Sequence, residues 1–524
     1  MNKKSLILAL AVAVTAPAFA ETDQQARQHK NQSFEEFRKG ILSDYQEFRQ
    51  TLLDRYADFL NGEWHAYESY KGQKRDSKPK PRVVPKADTA PSPVEDRARP
   101  AVSRPAVNVI KEPDKKPVPQ PEDAECNLPV PKKDKQPADA VKPDKDKQSD
   151  AAVKHKKNNV DADRFSFYGL TMQLPRIDFN ITQKLYSNND YASQWRNLQD
   201  ANVASRVLPE VKAIADEAGL NDYLTFQLIK FYIDSKFPAA DKTSKMAAVH
   251  YLLANMGYDA RIAVTGEGIP LLLIPFKQTI YARTYMMIGN KKYYVFEPDG
   301  YSLAEMGPQS IMTCRLPDDA DKGRSMDLRL GELRLPEKLK SFEYEYGPIH
   351  LKGEINENIM PVLYHYPQMP VSDFANSNVQ PALRKSLVEQ VRSQVAGMEG
   401  DEAVATLLAF MHKVFTYSTD EDFHGFEKPY FLEETLYYPK NDCEDRAIFY
   451  TYFLWNALGR ESQLISFPGH EAATVRLDKP VEGTCYDYDG TTYYISDPTY
   501  IGSSTGMIMP PYRNESPNID YTFR

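Results

Sequence analysis

The sequence predicts an α+β protein built from two similar units, preceded by an N-terminal helix and a long disordered linker. Three observations lead there. Between residues 161 and 324, helical apolar spacing at Val207–Ala218, Asp222–Ile233 and Lys242–Met256 gives way to short strand-like runs at Arg261–Val264, Leu271–Ile274, Tyr281–Ile288 and Tyr293–Phe296. The same helix–strand–strand text then returns. Tyr293-Tyr294-Val295-Phe296-Glu297-Pro298 echoes Tyr493-Tyr494-Ile495-Ser496-Asp497-Pro498, and Leu252 to Gly257 echoes Phe453 to Gly459. Finally, residues 71–160 are rich in Pro, Lys, Asp and Ala and nearly free of aromatics, so they bury too little apolar surface to offset their ordering entropy.

The chain has 524 residues, a formal net charge of −8 and a pI of about 5.7. That length allows two or three cores, and that charge argues against nucleic-acid binding. Residues 1–20 read as a secretory signal peptide: Lys3 and Lys4, an apolar stretch from Leu6 to Val14, then Ala18-Phe19-Ala20 as the cleavage site. No later run is long and apolar enough to span a membrane. The expected location is periplasmic or secreted. The four cysteines, Cys126, Cys314, Cys443 and Cys485, are too few for a disulfide scaffold.

Residues 21–70 read as an amphipathic helix. Phe34, Phe37, Ile41, Tyr45, Phe48, Leu52, Tyr56 and Phe59 recur with the helical period, and aromatics continue through Trp64, Tyr67 and Tyr70. Ser33 and Glu36 fit a capping box at its start. The helix either packs on its own protein or serves a partner or self-association.

Folded sequence starts near Asp161, with Phe165 to Leu174 reading as a strand. The first unit covers 161–324. Residues 325–380 read as a β-rich connecting segment, with alternation over Leu328–Leu335 and Phe342–Tyr346. The second unit covers 381–524, with helices after Pro381 and from Asp401 to Val414. An aromatic, loop-like stretch from Phe415 to Tyr438 forms one wall of a cleft, and His424 within it is a candidate substrate contact.

The chemistry concentrates at Asn441-Asp442-Cys443-Glu444-Asp445-Arg446, which opens an apolar run from Ala447 to Leu458 that ends at Gly459. Asp442 is placed as N-cap, with Glu444 and Asp445 in the first turn, where carboxylates suit the helix dipole. Cys443 then sits at the positive end of a helix, which favours thiolate. His470 follows Pro468-Gly469 at the start of a strand, and Asp497 precedes Pro498-Thr499 at the end of another. Nucleophile, base and orienting carboxylate follow in that order.

Cys443, Gly459, His470 and Asp497-Pro498-Thr499 resemble the pattern of the transglutaminase-like (papain-like) cysteine fold, and Asp-Cys-Glu-Asp-Arg is similar to bacterial members of that superfamily. The resemblance covers roughly the last quarter of the chain. It implies a Cys443–His470–Asp497 catalytic set working through a thioacyl intermediate, which passes to water or to an amine. Hydrolysis of an amide or peptide is favoured, on a peptide, protein or cell-wall-derived substrate. The first unit then reads as a degenerate tandem copy: Asp241-Lys242-Thr243-Ser244 stands where the cysteine belongs, the histidine is missing, and Glu297 replaces Asp497. A degenerate copy beside a stalk also fits a non-catalytic binding or scaffold protein. No cluster of Cys or His has metal-ligand spacing, so no metal or cofactor is expected.

Overall fold

The computed structural model describes residues 57–58, 60–62, 64–74, 162–176, 179–303, 310–314 and 323–524. The segment expected to be a signal peptide (1–20), residues 21–56 of the expected helix, and all but the first four residues of the expected linker (71–160), with Cys126, lie outside them.

Residues 57, 58 and 60 are helical, and Ala57 and Leu60 are buried in the main core. This end of the helix therefore packs on its own protein. The helix does not run to residue 70. Strand β1 (Trp64–Tyr70) pairs antiparallel with β8 (Ser310–Cys314) and β6 (Tyr285–Ile288). The aromatics at 64, 67 and 70 imitate helical spacing, but two open sheet edges each need a partner, and one strand satisfies both. Residues 165–174 likewise form two strands rather than one. β2 (Ala162–Phe167) and β3 (Leu170–Pro175) make a hairpin around Tyr168 and Gly169, both at positive φ (47° and 82°), as a two-residue turn requires.

Four helices follow: α1 (Asn188–Asp200), α2 (Val203–Ala218), α3 (Asp222–Lys236) and α4 (Lys242–Asn255). The first is absent from the sequence expectations. It starts at a reciprocal Ser187–Asp190 cap and buries Tyr191, Trp195 and Leu198 along one face. α4 packs on β4 (Arg261–Thr265) and β5 (Pro270–Ile274), and β7 (Lys291–Phe296) completes the strands. Together they form a closed six-stranded barrel in the order β1-β6-β7-β5-β4-β8.

The connecting segment is less β-rich than its pattern suggests. Residues 328–335 form no ladder. Leu328, Leu330, Leu333 and Leu335 are buried while the chain runs extended over the core. Alternation reports one buried face, and a segment between two units has that face without a neighbouring strand. β9 (Leu339–Tyr346) and β10 (Ile349–Asn356) form a hairpin, followed by the short helices α5 (Met360–Tyr364) and α6 (Val371–Asn376).

The second unit contains α7 (Pro381–Gln394), α8 (Gly400–Val414), α9 (Asp420–Phe423), α10 (Leu432–Tyr437) and α11 (Cys443–Asn456). Between α8 and α11, β11 (Thr416–Tyr417) pairs in parallel with β12 (Lys440–Asn441). α11 packs on β13 (Ser462–Phe467) and β14 (His470–Val475), within a five-stranded sheet completed by β15 (Cys485–Tyr488), β16 (Thr491–Ile495) and β17 (Asn518–Phe523).

That sheet runs β15-β16-β14-β13-β17, the same order as β6-β7-β5-β4-β8 of the barrel. The registers also correspond. Tyr285 and Met286 face Tyr294 and Tyr293, as Cys485 and Tyr486 face Tyr494 and Tyr493. Ile274 faces Tyr294, as Val475 faces Tyr494. α4 and α11 are each 14 residues long, begin after Asp241 and Asp442, and cross the same two strands of their sheets. This correspondence puts Lys242 in the place of Cys443, Ile269 in that of His470 and Glu297 in that of Asp497. The sequence comparison above set Asp241-Lys242-Thr243-Ser244 at the cysteine position, and the helix starts narrow that match to Lys242. The barrel differs mainly by β1, which closes it.

Candidate active site

Cys443 is the first residue of α11, with Asp442 as N-cap. The Asp445 carboxylate accepts the Asp442 backbone N–H at 3.1 Å, so the first turn folds back on its own cap. His470 is the first residue of β14, and Asp497 follows the end of β16. Since β14 lies between α11 and β16, strand pairing and helix packing bring all three together.

His470 Nε2 lies 2.8 Å from Asp497 Oδ2. The other carboxylate oxygen accepts the Thr499 N–H at 2.8 Å, so Asp-Pro-Thr forms a local turn that fixes the carboxylate. His470 Nδ1 is buried and has no hydrogen-bond partner among the described residues. In a neutral imidazole that donates from Nε2 to the carboxylate, Nδ1 is the acceptor. The next residue, Glu471, donates its backbone N–H to Cys443 Sγ at 3.4 Å. The start of β14 therefore touches the Cys443 sulfur through the Glu471 N–H, while His470 Nδ1 on the same strand end makes no hydrogen bond to a described residue. The thiol itself is 1% exposed and donates to Glu444 Oε2 at 3.2 Å.

A second, buried histidine holds Asp497 from below. His412 on α8 donates from Nε2 to the Asp497 carbonyl at 3.1 Å, and its Nδ1 accepts the Gly502 N–H at 3.4 Å. Burial pushes its pKa down to about 4, so it is neutral at pH 7. Arg446, one turn into α11, is fully buried. Its Nε donates to Asn441 Oδ1 and its Nη2 to the Phe415 carbonyl, both at 2.8 Å. Burial pulls it down to about 10, against the opposing pull of Tyr417, Asp442, Asp445 and Asp497. It stays charged at pH 7.

The aromatic stretch packs around this helix start. Tyr430 donates its N–H to Asp445 Oδ1 at 2.8 Å, and Lys428 Nζ pairs with Glu434 at 2.8 Å, both buried. His424 belongs to a ring cluster with Tyr364, Phe426, Tyr430 and Tyr438, and it bonds to the Tyr430 hydroxyl. Its place is in that wall rather than against Cys443. Tyr417 lies under the Arg446 guanidinium at 5.6 Å.

Three sets of acidic side chains bring donor atoms within 4.8 Å of one another: Asp442, Cys443 and Glu444; Asp420, Asp442 and Asp445; Asp420, Glu427 and Glu444. The all-carboxylate sets are of the kind that could hold a hard divalent cation, while zinc favours nitrogen and sulfur ligands. Their proximity comes from the fold, since Asp420, at the start of α9, and Glu427 reach the acidic residues at the start of α11.

Sequence reasoning missed His412, Arg446 and Tyr512. Arg446 stood inside the motif, but its burial is a tertiary fact. Tyr512 is the last residue of a short 3-10 turn, Pro510–Tyr512. Its ring lies parallel to that of His470, 5.2 Å between centroids and 6° apart in plane. Nothing local singles it out among the 33 tyrosines of the chain.

No family model matches the chain, and no curated protein matches it either. Among the described residues, no helix is long and apolar enough to cross a membrane.

Proposed function

We propose that the chain is an exported transglutaminase-like cysteine enzyme. It performs acyl transfer through a Cys443 thioacyl intermediate, with amide or peptide hydrolysis as the outcome, and its first unit is a degenerate copy of the second. One observation carries the reading. Asp497 occupies His470 Nε2 while Nδ1 stays unpartnered, on the strand end that touches the Cys443 sulfur.

In this reading, His470 Nδ1 takes the thiol proton and Cys443 attacks the carbonyl carbon. The same nitrogen then returns the proton to the leaving amine. Asp497 holds the ring and stabilises its charged form. The Cys443 N–H, at a helix N-terminus, is one oxyanion donor. Water then cleaves the thioester, with His470 as base, to release the acid and restore the thiol.

The competing reading is a non-catalytic binding or scaffold protein. It draws on the burial of Cys443 and on the Glu444 carboxylate against its thiol, since a negative neighbour opposes thiolate. Reactivity decides between the two. Alkylation of Cys443 in the mature protein, located by mass spectrometry across pH, should run well below about pH 8.5, the free-thiol value. Cys443→Ala should abolish acyl transfer without changing the fold. Labelling confined to higher pH would favour the scaffold.

A further inference from the structure

We infer that Tyr512 is a positioning residue for His470: its ring, stacked on the imidazole, holds the imidazole plane, and with it the direction of Nδ1, at the strand end that touches Cys443. The inference rests on the reading of Cys443 and His470 proposed above.

The imidazole is pinned at one nitrogen only, by Asp497. A single hydrogen bond leaves rotation about the bond axis open, and Nδ1 has no partner to stop it. A flat ring parallel to the imidazole removes that freedom without occupying Nδ1. Tyr512 supplies it at 5.2 Å and 6°. Stacked rings attract beyond their area burial, and a ring face accepts no proton.

Tyr512 is itself held in place. Its ring also lies parallel to Phe467, at 4.9 Å and 16°. Phe467 is the cross-strand partner of His470 in the β13–β14 hairpin, so both stacking partners come from one rigid turn. Behind it, Met509 and Ile508 are buried, and Ile508 joins the Phe467, Ile465 and Ile495 cluster on which Tyr512 packs. Pro510 and Pro511 fix their own φ angles just before it. The Tyr512 hydroxyl makes no hydrogen bond to any described residue. Burial raises the phenol to about 12, with Cys443 and Asp497 adding to the shift, so the ring stays neutral through the working range.

The test uses the full mature chain and the alkylation rate of Cys443 with iodoacetamide from pH 5 to 9, located by mass spectrometry. This readout needs no substrate. Tyr512→Phe keeps the ring and should label within about twofold of wild type. Tyr512→Leu and Tyr512→Met fill the space without a flat ring. Both should slow labelling near pH 6 by about tenfold, the size of a good stacked pair, and move the profile toward that of His470→Ala. In a His470→Ala background, Tyr512→Leu should change nothing further. Thermal midpoints identify a variant that has unfolded, and two non-aromatic variants guard against losing one. A wild-type profile in a folded Leu or Met variant overturns the inference. So does a Phe variant as slow as Leu, which would assign the effect to the hydroxyl. Wild-type protein that labels only as a free thiol overturns the acyl-transfer reading itself, and the inference with it.

Discussion

The backbone N–H of Glu471 lies 3.4 Å from the sulfur of Cys443. The strand end that carries His470 is thus in contact with the helix start that carries the thiol. Ordered pairing of β14 with both α11 and β16 produces this contact, and it makes the site a property of the sheet rather than of a loop.

Glu444 should act as a brake on the thiol. Its carboxylate accepts the Cys443 S–H at 3.2 Å, and a negative charge there disfavours thiolate. Glu444→Gln keeps an acceptor oxygen and removes the charge. Cys443 in that variant should alkylate several-fold faster at pH 6, with its profile moved to lower pH. An unmoved profile would mean that Glu444 is protonated or shielded in the working protein.

Two buried histidines should make stability depend on pH. Burial pushes His250 and His412 each down to about 4, against about 6.5 in an unfolded chain. The unfolded state therefore binds more protons between pH 6.5 and 4. The stability linked to each histidine is whole above 6.5 and is lost as pH falls toward 4, on the order of 3 kcal/mol for each. Urea unfolding at pH 7 and pH 5 should show the loss, and His412→Gln should flatten the dependence. Equal slopes in the variant and wild type would contradict it.

Arg384 and Glu433 tie α7 to α10 by a bidentate pair at 2.7 and 2.8 Å, with side chains 3% and 0% exposed. Arg384→Met leaves an uncompensated buried carboxylate and should cost about 3–5 kcal/mol. Denaturant unfolding measures this directly. Since α10 leads into the loop before Cys443, the variant should also expose the thiol to labelling while still folded.

The first unit should stay inert when given a thiol. Lys242 matches Cys443 in register, but Ile269 and Glu297 stand in the places of His470 and Asp497. Lys242→Cys in a Cys443→Ala background should show no acyl transfer. Its thiol should label as an ordinary cysteine. Low-pH reactivity there would mean that the helix N-terminus alone suffices.

How much could be read from the sequence depends on how far each cause reaches along the chain. The N-cap at Asp442, the helix from Cys443, its stop near Gly459, and the strand ends at His470 and Asp497 follow from neighbours a few residues away, and all lie where the local text puts them. The echo of Tyr293-Tyr294 in Tyr493-Tyr494 likewise pointed to two sheets of one order. Other features depend on partners far off in sequence. Trp64–Tyr70 is a strand because a barrel needs closing, and no periodicity within seven residues contains that need. Leu328–Leu335 alternates without pairing because its buried face has a core but no neighbouring strand. The Glu444 contact, the His412 prop and the Tyr512 stack depend on side chains meeting across elements. Capping, periodicity and turn chemistry are short-range and sit in the local text. Sheet closure, burial and ring stacking are long-range, and only the packed chain decides them.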